Sequence, residues 1–191
     1  MPSTATPATP AAATVWDFDP AHTGVHFSVK HLMVSTVRGE FAKVAGTVIL
    51  DPQDPSRSSI TATIDAASIQ TRDAQRDAHL RSPDFLDVER FPTLEFKSTK
   101  LVRTPDGYQV TGDLTIHGVT RSVVLEVETN DLELTDPWGN LRRGAAATTR
   151  INRKDFGLGW NMALEAGGFV VGDEVKIQID LEVIHPAQAA A

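Results

Sequence analysis

Residues 79–96 read HLRSPDFLDVERFPTLEF, and this stretch decides the fold. Residues 82–84 (SPD) are typical of a helix cap, a first helical residue and a first-turn acid, so they predict a short helical turn. Pro92 bars further helix, after which apolar Leu94 and Phe96 alternate with polar neighbours as in a half-buried strand. The stretch therefore predicts a helical plug that packs against a sheet.

Phenylalanines are concentrated around this stretch. Phe85, Phe91 and Phe96 lie within it, and we expect Phe41 to reach the same place from an earlier strand. A cluster of this kind either fills a core or lines a cavity, and the sequence pattern leaves both alternatives open.

The whole chain has the size of one globular domain. It contains 191 residues, 41% of them hydrophobic, and domains commonly hold about 100 to 200 residues. With 18 basic and 25 acidic side chains the net charge is -7, which repels nucleic acid and anionic membrane surface over the molecule as a whole. The chain has no cysteine, so disulfides, zinc thiolates and thiol nucleophiles are excluded.

Both ends of the chain have the composition of frayed termini. Residues 1–14 contain only Ala, Thr, Pro and Ser after the first Met, which predicts a disordered tail without the features of a secretory signal. Residues 186–191 are Ala-rich and predict a second frayed end, so one domain is expected over residues 15–185. Since no run of about 18 apolar residues occurs, we expect a soluble, cytoplasmic protein without stable membrane insertion.

Alternating apolar and polar residues predict β-strands along most of the chain. The clearest alternation covers residues 174–183, where the apolar side chains share one face. Hairpin connections at residues 104–107 (TPDG) and at residues 117–118 (HG) indicate an antiparallel meander. About eight strands, a short helical segment around residues 72–90 and no βαβ rhythm predict an all-β fold, a mainly antiparallel closed barrel.

Two further predictions concern local structure. Residues 38–50 are typical of one long strand broken at Gly39 and Gly46, because glycines in antiparallel sheets often mark bulges or bends. Thr71 is the predicted cap of a polar helix that runs towards Leu80 and rests one side on the sheet.

Two segments in the second half of the chain indicate internal space. The strand predicted at residues 141–152 contains GAAATT, residues 144–149, and small inward-facing side chains leave room inside a barrel. Residues 157–172 combine several glycines with spaced apolar residues, so we expect this segment to form a mobile cavity mouth. The apolar surface of this segment comes from Trp160, Met162, Leu164 and Phe169.

Five motifs, in order along the chain, resemble the YceI-like family. They are WDFDPAHTGVHFSVKH (residues 16–31), SIQTRDAQRDAHLRSPDFLDVERFPTLEF (68–96), VTGDLTIHGVT (110–120), INRKDFGL (151–158) and VGDEVKIQIDLEV (171–183). The resemblance spans residues 16–184 and implies a lipocalin-like barrel that encloses an elongated apolar cavity for a polyisoprenoid lipid. Many relatives carry an export signal, a feature that residues 1–14 do not show. The resemblance supplies no catalytic motif.

Strand parity and position beside apolar runs select the candidate ligand-binding residues. Apolar residues expected to face the interior are Phe27, Val29, Phe41, Phe85, Phe96 and Ile116, together with Ile177 and Ile179. Polar residues expected to contact a ligand head group at one inward end are His31, Asn152 and Arg153. Apolar residues expected at the mouth are Trp160, Met162 and Phe169.

Three other functions are alternatives to lipid binding. A metal site would need converging ligands, and the closest local pair is His22 with His26, at a spacing that suits a helix although a turn and a strand are expected there. An enzyme acting on a hydrophobic small molecule would use His31 or Asp155 as acid or base, but no nucleophile elbow is present. A structural or interaction barrel would be filled by its own side chains and would hold no cavity larger than a few waters.

The expected function is therefore binding of an elongated apolar lipid, a polyisoprenoid or an isoprenoid quinone, for carriage, storage or sensing. We expect no catalysis, no metal, no cofactor and no nucleic-acid partner. Whether two barrels pair as a homodimer is left open.

Overall fold

The alternating stretches form twelve strands in this computed structural model, which describes residues 13–163 and 167–186. The strands are β1 (Thr14–Phe18), β2 (Gly24–His31), β3 (Ser35–Phe41), β4 (Val44–Leu50), β5 (Ser59–Asp65), β6 (Ile69–Gln70), β7 (Thr93–Thr104), β8 (Gly107–Ile116), β9 (Val119–Glu128), β10 (Leu134–Thr135), β11 (Leu141–Asn152) and β12 (Val171–His185). One α-helix of the described residues, α1 (Ala74–Arg81), lies between β6 and β7. Short 3₁₀ turns occupy Pro55–Arg57, Ala66–Ser68 and Arg153–Phe156.

The strands close into a barrel with eight positions around its circumference, and all neighbouring strands are antiparallel. Three of these positions are each shared by two consecutive short strands. β1 and β2 follow one another along one edge of β12, β4 and β3 pair with them, and β5 and β6 pair with β4 and β3. β7, β8, β9 and β11 continue the sheet, and β11 returns to pair with β12. The predicted all-β barrel of about eight strands is confirmed.

The pairing of β11 with β12 completes the barrel. It runs without a shift from Leu141 opposite His185 to Asn152 opposite Glu174. Both strands were predicted from alternation and from small residues.

α1 is eight residues long, and no helix of the described residues is long and apolar enough to cross a bilayer.

The ends of the chain are described only in part. β1 begins at Thr14, so this residue belongs to the sheet and not to the predicted N-terminal tail. Residues 1–12 and 187–191 lie outside the described residues, as do residues 164–166 with the predicted mouth residue Leu164.

The predicted long strand at residues 38–50 is two strands. The break between β3 and β4 falls at residues 42–43, and both glycines lie inside strands. Gly39 is needed for a different reason, because a Cβ there would collide with the ring of Phe27 on the neighbouring strand. The prediction that glycine breaks the strand is therefore wrong at this position.

Helix α1 begins at Ala74 with Asp73 as its N-cap. The Asp73 carboxylate accepts a hydrogen bond from the backbone N–H of Arg76 at 3.0 Å. Thr71 instead donates its hydroxyl to the buried carboxylate of Asp77 at 2.5 Å, which ties the helix to the segment before it. The prediction of Thr71 as the helix cap is therefore wrong, because its hydroxyl is used by a side chain of the helix interior.

Residues 82–91 form hydrogen-bonded turns, whereas the sequence predicted that a short helix begins at residues 82–84. Ser82 ends α1, and its hydroxyl donates to the carbonyl oxygen of His79 at 2.8 Å. The turns still bury Phe85 and Leu86, which are 8% and 6% exposed. We call α1 and residues 82–91 the plug, since they close one side of the barrel.

Two hydrophobic clusters divide the interior. The smaller cluster contains Trp16, Val48 and Val183, and Trp16 is only 2% exposed. It lies where β4 and β12 finish, which we call the far end. The near end is the opposite one, where β2 finishes and β12 begins with His31 opposite Val171.

Candidate functional site

An apolar cavity of about 230 Å³ lies inside the barrel. Most residues of the larger hydrophobic cluster surround it, and the surface of its wall is apolar. One water molecule needs about 10–15 Å³ of such space, so the cavity is far larger than a few waters. This volume contradicts the alternative of a barrel filled by its own side chains.

Strand alternation places most of the cavity wall. Of the predicted interior residues, those that line the cavity are Phe27, Val29, Phe41, Phe85, Phe96, Ile116, Ile177 and Ile179. The apolar faces predicted for two strands, β2 and β12, thus point inward, apart from His31. Contact of these residues with a ligand stays a prediction.

The small residues of β11 make room beside the large residues of β12. Ala145, Ala147 and Thr149 line the cavity, and each lies directly opposite a branched residue of β12. Ala146 and Thr148 point away from it, as alternation requires. The predicted space therefore comes from one face of this strand.

The near end is covered by residues 157–163 and 167–172, which we call the cover. Before β12 begins at Val171, the described residues of the cover form one isolated β-bridge, between Ala163 and Phe169, and no continuous strand. The Trp160 ring packs on the plug, with its centroid 4.7 Å from that of His79 and 5.3 Å from that of Phe85. Trp160 does not line the cavity, so this predicted mouth residue joins the cover to the plug.

Hydrogen bonds from Arg153 hold the cover against the end of β11. The side chain is buried, and its guanidinium donates to the carbonyl oxygens of Leu158 at 2.5 Å, Trp160 at 2.8 Å and Gly172 at 2.9 Å. Burial lowers the pKa of the Arg153 guanidinium, and the carboxylate of Asp173 opposes this shift. Arg153 does line the cavity, but its donors bind the protein backbone and not an open head-group position.

The other predicted polar contacts lie away from the cavity. His31 is the last residue of β2 and is half-buried outside the wall. Asn152 is exposed, and its side chain caps the following 3₁₀ turn by accepting a hydrogen bond from the Lys154 N–H at 3.0 Å. Asn152 has the outward parity of β11, whose inward residues are Ala145, Ala147, Thr149 and Ile151. His31 stands at the end of β2, where alternation no longer fixes the direction of a side chain. The expected inward direction of both residues is therefore wrong.

Two predicted mouth residues face solvent. Met162 and Phe169 are 58% and 55% exposed and do not line the cavity. The irregular backbone of the cover lacks the alternation of a strand, so spacing along the sequence did not give their direction.

Sequence reasoning also left out many wall residues. They include Leu80 and Leu86 of the plug, Leu158 and Val171 of the cover segment, and Val123, Leu125 and Val127 of β9. The β9 residues alternate with polar neighbours, so the signal that identified β2 and β12 was present there too. The cover and plug residues carry no such signal.

The histidine pair considered for a metal does not converge. The ring of His22 lies 3.0 Å from Asp19, whereas the ring of His26 lies 3.4 Å from Glu40 and 3.6 Å from Asp180. The two rings thus face different carboxylates because a turn and a strand separate them.

A cluster of Asp19, His22 and Glu182 does form, with ligand atoms within 4.8 Å of one another. Arg142 donates to both carboxylates at 2.5 Å and to Asp136 at 2.9 Å, so a guanidinium stands where a cation would bind. Hydrogen bonds from His22 and then from Arg142 lower the pKa of Asp19 to about 2. Burial raises the pKa of Asp136, but hydrogen bonds from Arg142 and its neighbours outweigh burial and lower it to about 2.

Neither acid–base candidate reaches the cavity. Asp155 is exposed on the 3₁₀ turn after β11, and His31 lies outside the wall. The alternative of an enzyme acting within the cavity therefore loses both of its named groups.

The fold and the cavity define a class of protein: an antiparallel eight-stranded barrel with a short helix beside it, built around an apolar interior. The YceI-like domain family matches residues 16–183. The chain belongs to this family, and the resemblance inferred from the five motifs is confirmed.

Three similar proteins come from different bacteria. A UPF0312 protein of Vibrio cholerae is 41% identical over 149 residues, 78% of each chain. The crystal structure of BcnA from Burkholderia cenocepacia has a TM-score of 0.72 at 25% identity, over 86% of this chain and 98% of that chain. A polyisoprenoid binding domain from Saccharophagus degradans has a TM-score of 0.62 at 13% identity, over 92% of this chain and 100% of that chain, which shows a shared fold.

Proposed function

We propose that the protein binds an elongated apolar lipid inside the barrel, a polyisoprenoid or an isoprenoid quinone. The observation that carries this proposal is the apolar cavity of about 230 Å³. The interior of most domains is filled by side chains, so an apolar cavity of this size favours an apolar ligand.

The polar groups of the wall support an apolar ligand. Thr23 and Thr149 donate their hydroxyls to the carbonyl oxygens of Glu182 and Val124, at 3.1 Å and 2.7 Å. Arg153 uses its guanidinium on the backbone of the cover. A sugar, nucleotide or amino acid would lose its hydrogen bonds to water in this cavity and find few replacements.

Affinity for such a ligand would come from buried area. Each buried methylene-sized unit contributes about 0.8 kcal/mol, less the loss of freedom of a flexible chain. Longer tails should therefore bind more tightly until the cavity is full. The ligand class in the name of the Saccharophagus degradans domain, which shares this fold, supports the choice of a polyisoprenoid.

A ligand series tests the proposal directly. Isoprenoid alcohols of increasing length are titrated into the purified protein and into Phe27→Ala, which removes a ring from the wall. Affinity should rise with length and fall in Phe27→Ala. Phe91→Ala is the matched control, because the Phe91 ring packs on His117 outside the wall.

Native mass spectrometry of the protein from its own host gives an independent readout. Co-purification of an isoprenoid lipid supports the proposal. Affinity that is flat with tail length, together with recovery of no lipid, would show that the cavity has another role.

A further inference from the structure

The turn between β2 and β3 exposes three consecutive large apolar side chains. Leu32, Met33 and Val34 are 38%, 70% and 82% exposed. Met162 and Phe169 of the cover are also more than half exposed. Single exposed apolar residues are common on proteins, but a continuous group of this kind indicates a contact surface.

Backbone hydrogen bonds hold the segments that carry these five residues next to one another. The N–H of Leu32 donates to the carbonyl oxygen of Val170 at 2.9 Å, and the N–H of Val170 donates to the carbonyl oxygen of Met162 at 3.1 Å. Phe169 is the residue before Val170. We call Leu32, Met33, Val34, Met162 and Phe169 the apolar tip.

The backbone of the turn makes its composition unusual. Leu32 and Met33 have φ angles of 52° and 62°, in the left-handed region that large side chains rarely adopt. Glycine or asparagine would suit both positions better. Large apolar residues at strained, exposed positions point to a function for their side chains.

Basic residues lie behind the apolar tip on the outer face of the barrel. Lys30, Arg38 and Lys176 are exposed, and none of the three has an ion-pair partner among residues 13–163 and 167–186. Ser28 pairs with Arg38 on one side and Lys176 on the other, and Arg150 lies opposite Lys176. Like charges on neighbouring strands repel one another, so this row favours an anionic partner.

The nearby acids do not cancel this charge. Asp173 binds Lys154 at 2.9 Å, and Glu174 lies 3.6 Å from Arg150. These two acids are thus paired with bases outside the group formed by Lys30, Arg38 and Lys176. On the same outer face, Glu40 and Asp180 lie 3.4 Å and 3.6 Å from the ring of His26.

The spacing of the two groups matches the depth of a lipid head-group layer. With a rise of about 3.3 Å per residue along β2, Lys30 lies about 3 Å behind His31, the last strand residue before the turn, and Ser28 lies about 10 Å behind it. An interfacial apolar face is buried about 5–10 Å, and long basic side chains reach towards the phosphates from behind it.

We propose that the near end docks reversibly on an anionic bilayer, with the apolar tip inserted and with Lys30, Arg38 and Lys176 facing lipid phosphates. This proposal rests on the proposed function, because a lipid-binding cavity must exchange its ligand with a bilayer. The near end fits that role, since the Trp16 cluster fills the far end.

Vesicle co-sedimentation of the ligand-free protein tests the docking. Vesicles contain phosphatidylcholine with an equal part of phosphatidylglycerol, or phosphatidylcholine alone. Val34→Asp should weaken binding to the anionic vesicles at least about ten-fold, because it places a charge in the acyl boundary. Trp138→Asp is the matched control, since Trp138 is 78% exposed in the loop at the far end.

Charge reversal tests the basic group. Lys30→Glu and Lys176→Glu should each weaken binding to the anionic vesicles about five-fold or more, with loss of salt dependence. Lys100→Glu makes the same change on β7, away from the near end, and should have little effect.

Three outcomes overturn the proposal. They are no binding to anionic vesicles, equal losses in the control variants, and a dimer in analytical ultracentrifugation that Val34→Asp dissociates. The last result would make a second copy the occupant of the apolar tip. Docking that fails while isoprenoids still bind in solution rejects only this proposal, whereas docking without isoprenoid binding rejects the proposed function.

Discussion

Arg153 Nη1 lies 2.8 Å from the carbonyl oxygen of Trp160, and this hydrogen bond joins the end of β11 to the cover. The Trp160 ring in turn packs on His79 and Phe85 of the plug. One buried cation thus connects the barrel wall, the cover and the plug.

Arg153→Leu should loosen the cover. The substitution leaves the carbonyl oxygens of Leu158, Trp160 and Gly172 without their donor. We expect the free energy of unfolding to fall by about 2–4 kcal/mol, as measured by urea unfolding. Arg150→Leu removes an exposed arginine with one long ion pair and should change stability little. Equal losses in the two variants would contradict the role given to Arg153.

Trp160→Ala should change the rate of ligand exchange more than the affinity. Its ring touches the plug but does not line the cavity, so both association and release should become faster. Stopped-flow fluorescence with a labelled isoprenoid measures both rates, and Trp138→Ala provides the control for loss of an exposed tryptophan. Unchanged rates would show that a ligand reaches the cavity by another route.

Phe85→Ala should destabilise the barrel by less than a fully packed core position. Loss of a buried phenylalanine usually costs about 3–5 kcal/mol, and a cavity already lies beside this ring, so we expect about 2–3 kcal/mol. Urea unfolding measures the change. A loss below about 1 kcal/mol would mean that the plug contributes little to the closed barrel.

Ala147→Leu should fill part of the cavity. Ala147 points inward and is 7% exposed, so the longer side chain displaces part of the ligand tail. At about 0.8 kcal/mol for each displaced methylene-sized unit, affinity for the longest isoprenoids should fall at least about ten-fold. Ala146→Leu adds the same side chain on the other face of β11 and should leave isothermal titration curves unchanged. The assignment of this wall fails if both variants bind normally.

The Arg142 network should make stability depend on pH below about 4. The pKa of Asp19 and that of Asp136 are lowered to about 2 in the fold, against an unfolded value near 3.9. The stability that these carboxylates give is complete above the unfolded pKa and is lost as pH falls from about 4 towards 2. Urea unfolding at pH 5 and at pH 2.5 measures this loss, and Arg142→Met should reduce the difference. A variant with the wild-type pH dependence would contradict this account.

The barrel could be predicted because its strands repeat one physical pattern. β12 alternates from Val175 to Val183, and its apolar face lines the cavity or the Trp16 cluster. The same alternation placed Phe27 and Val29 in the wall. In a half-buried strand every second residue is apolar and faces inward, so a single sequence is enough to identify the inward face.

The polar part of the site could not be predicted in this way. The sequence shows that Arg153 carries donors, but not that the carbonyl groups of the irregular segment that follows it will accept their hydrogen bonds. The turn at Leu32 and Met33 gives no glycine or asparagine signal for its left-handed backbone. Cytoplasmic residence stays a prediction, and whether two barrels pair stays open.

The Trp16 cluster has a consequence for how a ligand can move. The far end is closed by the side chains of Trp16, Val48 and Val183, so the barrel is open to a ligand at one end only. A chain-shaped lipid would slide in tail first, keep its head group by the cover, and back out along the path by which it came. A second molecule could not enter from the other end and displace the first. The rate of ligand exchange would therefore be limited by release of the bound molecule.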